Sequence, residues 1–177
     1  MSTELLEAVL SGWDRHNEVL VNLLRAIPGD VLGARAGEGS PTVAAMFSHM
    51  RYERLCSVIE NAPEVGAPKP EGEWRDERDA DVLAAQLNES AALVRDAVGG
   101  RAREGRDLEQ DFSHPVHMIQ FLIFHEGYHH GQIKLALKAA GVPLSDEVIG
   151  PVTWHRWRAP ESRVAVGWGF SPAGLAR

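Results

Sequence analysis

The sequence predicts an all-α fold, a four-helix bundle, on three observations. Apolar residues recur at three- and four-residue steps along four long stretches, which is the pattern of amphipathic helices. Alternating apolar and polar residues, which indicate strands, are almost absent. The length of 177 residues suits one domain and is too short for two. We therefore expect one bundle domain over residues 1–158, followed by a Gly/Pro-rich tail over residues 159–177.

The first two predicted helices are delimited by residues that start or stop helices. An amphipathic pattern predicts the first helix over about residues 3–26, and Pro28 ends it. Ser40 is expected to cap the second helix, with Pro41 at the first helical position. This helix runs to about Asn61.

A long connection is predicted between the second and third helices. Residues 62–78 contain three prolines and two glycines, so they form no regular element. A connection of this length is usually either a functional cover or a mobile segment. The sequence alone leaves these two alternatives open.

The third and fourth helices complete the bundle. The third is predicted over residues 79–98 and is ended by the glycine pair at 99–100. The fourth is predicted over residues 113–141 and is the longest element. Beyond it, Trp154 and Trp157 predict a short C-terminal helical or irregular extension that covers one end of the bundle.

Composition excludes several classes of partner. The formal net charge is −7 and no run of Lys or Arg is interleaved with aromatics, so we expect no nucleic-acid partner. No apolar run approaches the roughly 20 residues that cross a bilayer, and the N-terminal residues do not resemble a signal peptide, so we expect no membrane partner. The single cysteine, Cys56, fits a reducing compartment. We therefore expect a cytoplasmic protein.

Two histidines in the fourth helix have the spacing of metal ligands. His125 and His129 are four residues apart, which places them about 40° apart around the helix and one turn apart along it. Apolar residues flank both, so their side chains are expected to face the interior. Buried neutral imidazoles need partners for their nitrogens, and a bound cation satisfies two of them at once. The pair therefore predicts a divalent metal site.

The second helix offers a third ligand and the flanking residues offer supporting partners. His49 lies on the interior stripe of the second helix, and neighbouring helices in a bundle are only about 8–10 Å apart. Three imidazoles without a fourth protein ligand leave an open position for water or substrate, as in catalytic zinc sites. Glu53, one turn after His49, and Gln132, three residues after His129, are placed to orient these rings.

The remaining histidines are expected to serve other purposes. His130 points about 100° away from its neighbour on the helix, which makes it a poor ligand for the same ion. His16, His114 and His117 are expected to be capping or surface groups.

The interpretation of the same stretch as a zinc-peptidase site is less well supported by the sequence than the three-histidine site. Residues 125–129 match His-Glu-x-x-His, in which the glutamate is the general base of a zinc peptidase. The extended signature needs glycine and histidine where this chain has Gln132 and Leu135, and no strand is predicted to hold a peptide. Glu126 remains a candidate catalytic acid or base if its carboxylate reaches the open position.

The chain resembles the DinB/YfiT-like family of metal-dependent enzymes. The resemblance rests on "MFSHMRYERL" in the second helix and "HEGYHHGQIKLALKAAGVP" in the fourth, and it covers most of residues 3–157. Carried over, the metal ligands of the family fall on His49, His125 and His129. One departure is that Gly131 directly follows His130, where many relatives have a basic residue before Gly-Gln.

The resemblance implies a metalloenzyme that acts on a small-molecule substrate. Similar proteins are thiol-dependent transferases or isomerases, with hydrolases also proposed, which implies zinc or nickel and a low-molecular-weight thiol as co-substrate. It also points to a homodimer formed through helix faces. Three alternatives stay open at this point: a metal-dependent hydrolase, a metal-binding bundle without chemistry, and a metal-free dimerisation module. Imidazole ligands alone do not select the metal.

Overall fold

The computed structural model describes residues 1–158 and confirms the predicted all-α class. The bundle consists of α1 (Thr3–Ala26), α2 (Val43–Asn61), α3 (Ala80–Glu104) and α4 (Pro115–Ala139). Two short helices follow, α5 (Asp146–Ile149) and α6 (Trp154–Arg158), and no named strand occurs within residues 1–158. The predicted tail at residues 159–177 lies outside the described residues.

The start of α2 differs from the prediction by two residues. Thr42, and not Ser40, is the N-cap, because its side-chain oxygen accepts a hydrogen bond from the backbone N–H of Ala45 at 3.0 Å. The backbone N–H groups of Val43 and Ala44 donate to the carbonyls of Ala34 and Leu32 in the preceding link. The Gly-rich link is therefore bonded to the first turn of α2, which fixes where the helix begins.

The predicted end of α3 at the glycine pair is wrong, because the helix continues to Glu104. Gly105, with φ 66°, takes the left-handed conformation that ends a helix. Gly99 lies where a Cβ would come within 3.3 Å of Leu10, so its lack of a side chain lets α1 approach closely. Arg101, beyond the pair, is buried and donates to both carboxylate oxygens of Glu64 at 2.6 and 2.7 Å. These tertiary contacts outweigh the low helix propensity of glycine.

The four long helices enclose a core that has two apolar ends and a polar middle. α3 packs chiefly against α1 and α2, and α4 packs against α2, α3 and α1. One apolar cluster contains the C-terminal half of α1, the first turns of α2 and the last turns of α4. The other contains the first half of α1, the C-terminal part of α3 and the start of α4. Buried polar side chains lie between them: His16, Asn17, Arg54, Ser90 and Glu126.

The predicted C-terminal extension is helical and packs against the outside of α1. Asn22 donates to the carbonyl of Val152 at 2.8 Å, and Arg156 pairs with Glu18 at 2.5 Å. None of the helices within residues 1–158 combines the length and the apolar character that a bilayer crossing requires.

Candidate metal centre

Three imidazole nitrogens converge between α2 and α4. The Nε2 atom of His125 lies 3.2 Å from Nε2 of His49 and 3.1 Å from Nε2 of His129. His49 and His129 are buried, and His125 is half-buried, which leaves the cluster open on one side. The structure therefore brings together the three histidines that the sequence singled out.

The spacing of these nitrogens fits a common metal ion. A tetrahedral ion bound at about 2.0–2.1 Å to each imidazole places pairs of ligand nitrogens about 3.3 Å apart. The two measured separations, 3.2 and 3.1 Å, are close to that value. One divalent cation would satisfy all three nitrogens together. The group could hold a metal ion.

Gln132 lies where the predicted orienting role requires it. Nδ1 of His129 donates to Oε1 of Gln132 at 2.7 Å, which leaves Nε2 of that ring without a proton and directed at the cluster. The amide nitrogen of Gln132 in turn donates to the hydroxyl of Tyr128 at 2.9 Å. The second hydrogen bond holds the amide in place beside the histidine ring.

Replacing Gln132 with alanine is expected to weaken metal binding by about 10–100-fold, because the acceptor that holds His129 in its metal-binding tautomer is lost. Competition with a chromophoric chelator measures this change. Gln120→Ala, an exposed position about three turns earlier on the same helix, is the matched control and should bind metal like wild type. Equal affinities of both variants would show that the hydrogen bond does not position the ring.

Two carboxylates flank His49 on the side away from the cluster. Oε1 of Glu73 lies 3.2 Å from Nδ1 of His49, within ion-pair distance but outside hydrogen-bond geometry. Side-chain oxygens of Glu53 and Glu73 lie within 4.8 Å of His49 and of each other. Burial raises the pKa of Glu53, and neighbouring Glu73 adds to this effect, against the opposing influence of His125. Glu53 is thus beside the ring that it is predicted to orient, while Glu73 was missed because it belongs to an irregular segment.

The long connection of residues 62–78 covers the cluster, which is one of the two alternatives left open by the sequence. The indole of Trp74 stacks on the ring of His49, with centroids 3.9 Å apart and planes 7° from parallel. It also meets His129 edge-on at 6.0 Å. On the opposite side, Phe121 stacks with His125 at 5.9 Å. Aromatic rings thus form walls around the imidazoles.

The surroundings keep His49 and His129 neutral at pH 7. Burial lowers the pKa of His49 to about 4, with further lowering by His129 and His125. Burial also lowers the pKa of His129, with the same effect from His125. A neutral imidazole offers a lone pair to a metal and a charged one does not. The cluster is therefore ready to bind a cation near neutral pH.

The metal-free protein is expected to lose stability as the pH falls from about 6.5 to 4. Unfolded histidine binds its proton near pH 6.5, whereas folded His49 does so near pH 4. Between these values the unfolded chain holds more protons, so the free energy of unfolding decreases on acidification. Urea unfolding across this range measures the slope.

The slope should be smaller in His49→Ala, while His117→Ala, which changes an exposed histidine, should leave it unchanged. An unchanged slope in His49→Ala would contradict the origin assigned to it.

The structure places Glu126 away from the converging nitrogens. Its side chain is fully buried, and its two oxygens are held by Arg54 at 2.6 and 2.8 Å and by His16 at 2.7 Å. Burial alone would raise the pKa of Glu126, but the charge and hydrogen bonds of Arg54, with the bond from His16, outweigh it and lower the pKa to about 2. With both oxygens engaged, the carboxylate is not positioned for the acid or base role considered from the sequence.

Glu126 belongs to a polar network that links all four helices. Besides the carboxylate, the Arg54 guanidinium donates to Asn17 Oδ1 at 2.9 Å and to the carbonyl of Leu87 at 2.8 Å. It also lies over the indole of Trp13, 4.8 Å from the ring centroid. Because Glu126 directly follows His125 on α4, the network holds that turn of the helix against α2.

The other histidines are placed partly as predicted. The expectation that His16 is a capping or surface group is wrong, because it is buried and donates to Glu126. His114 does cap α4, since its ring accepts from the backbone N–H of Val116 at 3.2 Å. His130 is half-buried and lies outside the converging group. Burial, with Lys134 and His16, lowers its pKa to about 4.

The chain is thus an all-α bundle in which three imidazoles converge at a candidate metal site between α2 and α4. Comparison with protein families matches residues 1–147 to the DinB family, as the two sequence motifs indicate. The chain belongs to the DinB family. No curated protein and no solved structure matches it.

Proposed function

We propose that this protein is a cytoplasmic, divalent-metal-dependent enzyme that transfers a low-molecular-weight thiol to a small electrophile. The observation that carries the proposal is the convergence of three Nε2 atoms, with separations of 3.2 and 3.1 Å. Three protein ligands leave a position for a substrate atom, as in catalytic rather than structural sites. Zinc and nickel both suit imidazole ligands.

The bound ion would act as a Lewis acid that lowers the pKa of a thiol or of water. His49, His125 and His129 would hold the ion, and Gln132 would keep His129 in the required tautomer. The aromatic walls restrict water around the imidazoles. Trp74 is 44% exposed, so part of its indole is accessible to a substrate that approaches from solvent.

Thiol transfer is favoured over peptidase-like hydrolysis by the position of Glu126. A water nucleophile in a His-Glu-x-x-His site depends on the glutamate as base, and here both of its oxygens are engaged by Arg54 and His16. A thiol, with an ordinary pKa of about 8.5, is already close to ionisation at neutral pH. It therefore needs less help from a protein base.

A metal-dependent hydrolase is the second candidate, supported by the carboxylates beside His49. Glu53 and Glu73 lie within 4.8 Å of that ring, and burial raises the pKa of Glu53, which makes its carboxylate a stronger base. Either carboxylate would replace Glu126 as the base. Replacing both carboxylates, Glu53→Gln with Glu73→Gln, should then abolish hydrolysis and reduce thiol transfer much less.

Two assays on the zinc- or nickel-loaded protein separate these reactions. Thiol consumption is measured with 1-chloro-2,4-dinitrobenzene and a panel of small thiols, and hydrolysis is measured with 4-nitrophenyl acetate. We expect metal-dependent thiol consumption that is lost in His125→Ala and kept in His117→Ala. Turnover in neither assay, together with a strong loss of thermal stability on chelation, would instead identify a metal-binding bundle without chemistry.

We further propose that the protein forms a homodimer through the outer face of α4. Large apolar side chains are exposed along this face, with Phe124 77% and Leu135 56% accessible. Burying such residues against a second copy would remove apolar surface from water. Light scattering of wild type should give twice the mass of one chain, and Phe124→Glu should give the monomer. A monomeric wild type would contradict this proposal.

A further inference from the structure

A cavity of about 390 Å³ lies next to the histidine cluster. This volume is within the range of small-molecule binding sites. Trp74, which stacks on His49, also forms part of the cavity wall. Trp74 therefore contacts both the cavity and the cluster. The walls have an apolar part, Pro41, Ala45 and Trp74, and a polar part, Arg35, Thr42 and Asp76.

The cavity extends along α2 from the cluster towards the start of the helix. Ala45 and Thr42 precede His49 by four and seven residues, so all three positions share one side of the helix within about 60°. At 1.5 Å per residue, the two wall residues are about 6 and 10 Å from His49 along the axis. A ligand that reaches both the cluster and the far end of the cavity must therefore be elongated.

Arg35 is the group at the far end that suits an anion. The oxygens of Asp76 are already engaged, since Thr42 donates to Oδ1 at 2.5 Å and Arg78 donates to Oδ2 at 2.6 and 3.0 Å. The guanidinium of Arg35 donates through Nη1 to the carbonyl of Ser40. Within residues 1–158 the guanidinium makes this one hydrogen bond, and it interacts with Asp76 by charge alone, so its other N–H groups can donate to a ligand.

The backbone N–H groups at the N-terminus of α2 do not compete with Arg35 for an anion, because they are already hydrogen-bonded. Its first backbone N–H groups, at residues 43–45, donate to Ala34, Leu32 and Thr42. An anion in the cavity would thus be recognised by a side-chain guanidinium, which binds carboxylates through two parallel hydrogen bonds. The apolar wall opposite suits a hydrocarbon body.

We infer that the cavity binds the hydrocarbon body and terminal carboxylate of an elongated thiol substrate, with Arg35 pairing with the carboxylate while the sulfur lies at the three histidines. This inference rests on the proposed function and specifies its thiol. An extended chain advances about 1.2 Å per bond, so the offset of about 6–10 Å along the axis of α2, taken as the minimum reach, requires at least about five bonds between sulfur and carboxylate.

Calorimetry with simple probes tests the inference without any need for turnover. 6-Mercaptohexanoate and 6-mercaptohexan-1-ol have the same length and the same sulfur, and they differ in the charged end. We expect wild-type metal-loaded protein to bind the acid about tenfold more tightly. Arg35→Gln should abolish this preference and Arg35→Lys should restore part of it. Arg106→Gln, which changes an exposed arginine elsewhere, should keep it in full.

Two further comparisons make the result specific. Mercaptoacetate is too short to reach Arg35 from the cluster, so its affinity should be the same in wild type and Arg35→Gln. Equal affinity of wild type for the hexyl acid and alcohol would overturn the inference. An effect of Arg35→Gln on mercaptoacetate as large as on the longer acid would also overturn it, because the charge would then act without a ligand in the cavity.

The proposed function is tested separately by comparing 6-mercaptohexanoate with heptanoate, which lacks the sulfur. A preference for the thiol that requires loaded metal supports thiol chemistry at the cluster. A preference for the acid over the alcohol without any preference for the thiol would keep Arg35 as the carboxylate site and reject the thiol proposal. The reverse pattern would keep the thiol proposal and reject the carboxylate site.

Discussion

Replacing His125 with alanine is expected to abolish stoichiometric metal binding. His125 is the middle member of the group, since its Nε2 lies within 3.2 Å of both other ligand nitrogens. Its loss leaves two imidazoles, one from each helix. The metal affinity should therefore fall by more than about 100-fold, which is the largest loss expected when only a hydrogen-bond partner of a ligand is removed. Metal analysis after dialysis against a weak chelator measures the retained ion.

His49→Ala should behave in the same way, because it removes the ligand that α2 supplies. His117→Ala is the matched control, as it lies on α4 two turns before His125 but is exposed and hydrogen-bonded to Ser113. Circular dichroism establishes that each variant is folded. Retention of one ion per chain by both His49→Ala and His125→Ala would remove this group as the metal site.

Replacing Arg54 with methionine is expected to destabilise the protein by about 3–5 kcal/mol, because it leaves the buried carboxylate of Glu126 without its guanidinium and with His16 as its remaining partner. Both side chains have no exposed surface. Arg54 also supplies hydrogen bonds to Asn17 and to the carbonyl of Leu87, which would lose their donor. Urea unfolding measured on the metal-free protein gives the change in the free energy of unfolding.

Two comparisons isolate the buried pair. The double variant Arg54→Met, Glu126→Leu should recover part of the loss, since no unpaired charge remains. Arg106→Met removes an exposed ion pair with Glu104 and should cost at most about 1 kcal/mol. If Arg54→Met were no more destabilising than Arg106→Met, the network would not hold the helices together as described.

Regular periodicity made the helices predictable, whereas their ends depended on tertiary contacts. The buried stripe of α1 follows directly from apolar spacing, whereas the predicted interior stripe of α2 missed Arg54, which is fully buried. The end of α3 could not be predicted in this way, because a glycine pair usually indicates the end of a helix. The close approach of Leu10 to Gly99 explains why the helix continues. The cap of α2 similarly depends on hydrogen bonds from its first turn to the preceding link.

The convergence of His125 and His129 was predictable because histidine spacing on one helix is a strong local signal. The polar network was missed, although a signal for it existed. Arg54 continues the row of Met46 and Met50 at four-residue steps, and Val58 follows four residues later, so it occupies an interior position. A charged residue on such a row requires a buried partner, and Glu126 occupies the corresponding row of α4.

The positions of Trp74 and Glu73 could not be predicted from local sequence. Both belong to a connection without periodicity, so nothing in the neighbouring residues states which part of the bundle it crosses. The path is set by contacts between distant residues, such as the hydrogen bond from Thr42 to Asp76. These contacts bring Trp74 over His49 and create the cavity beside it.

X-ray absorption spectroscopy of the zinc-loaded protein tests the central claim most directly, because it reports the ligands of the ion itself. The account predicts one ion per chain with three imidazole nitrogens at about 2.0–2.1 Å, and loss of this imidazole signal in His125→Ala. A protein that takes up no stoichiometric zinc, or an ion surrounded by carboxylate oxygens without imidazole scattering, would contradict it.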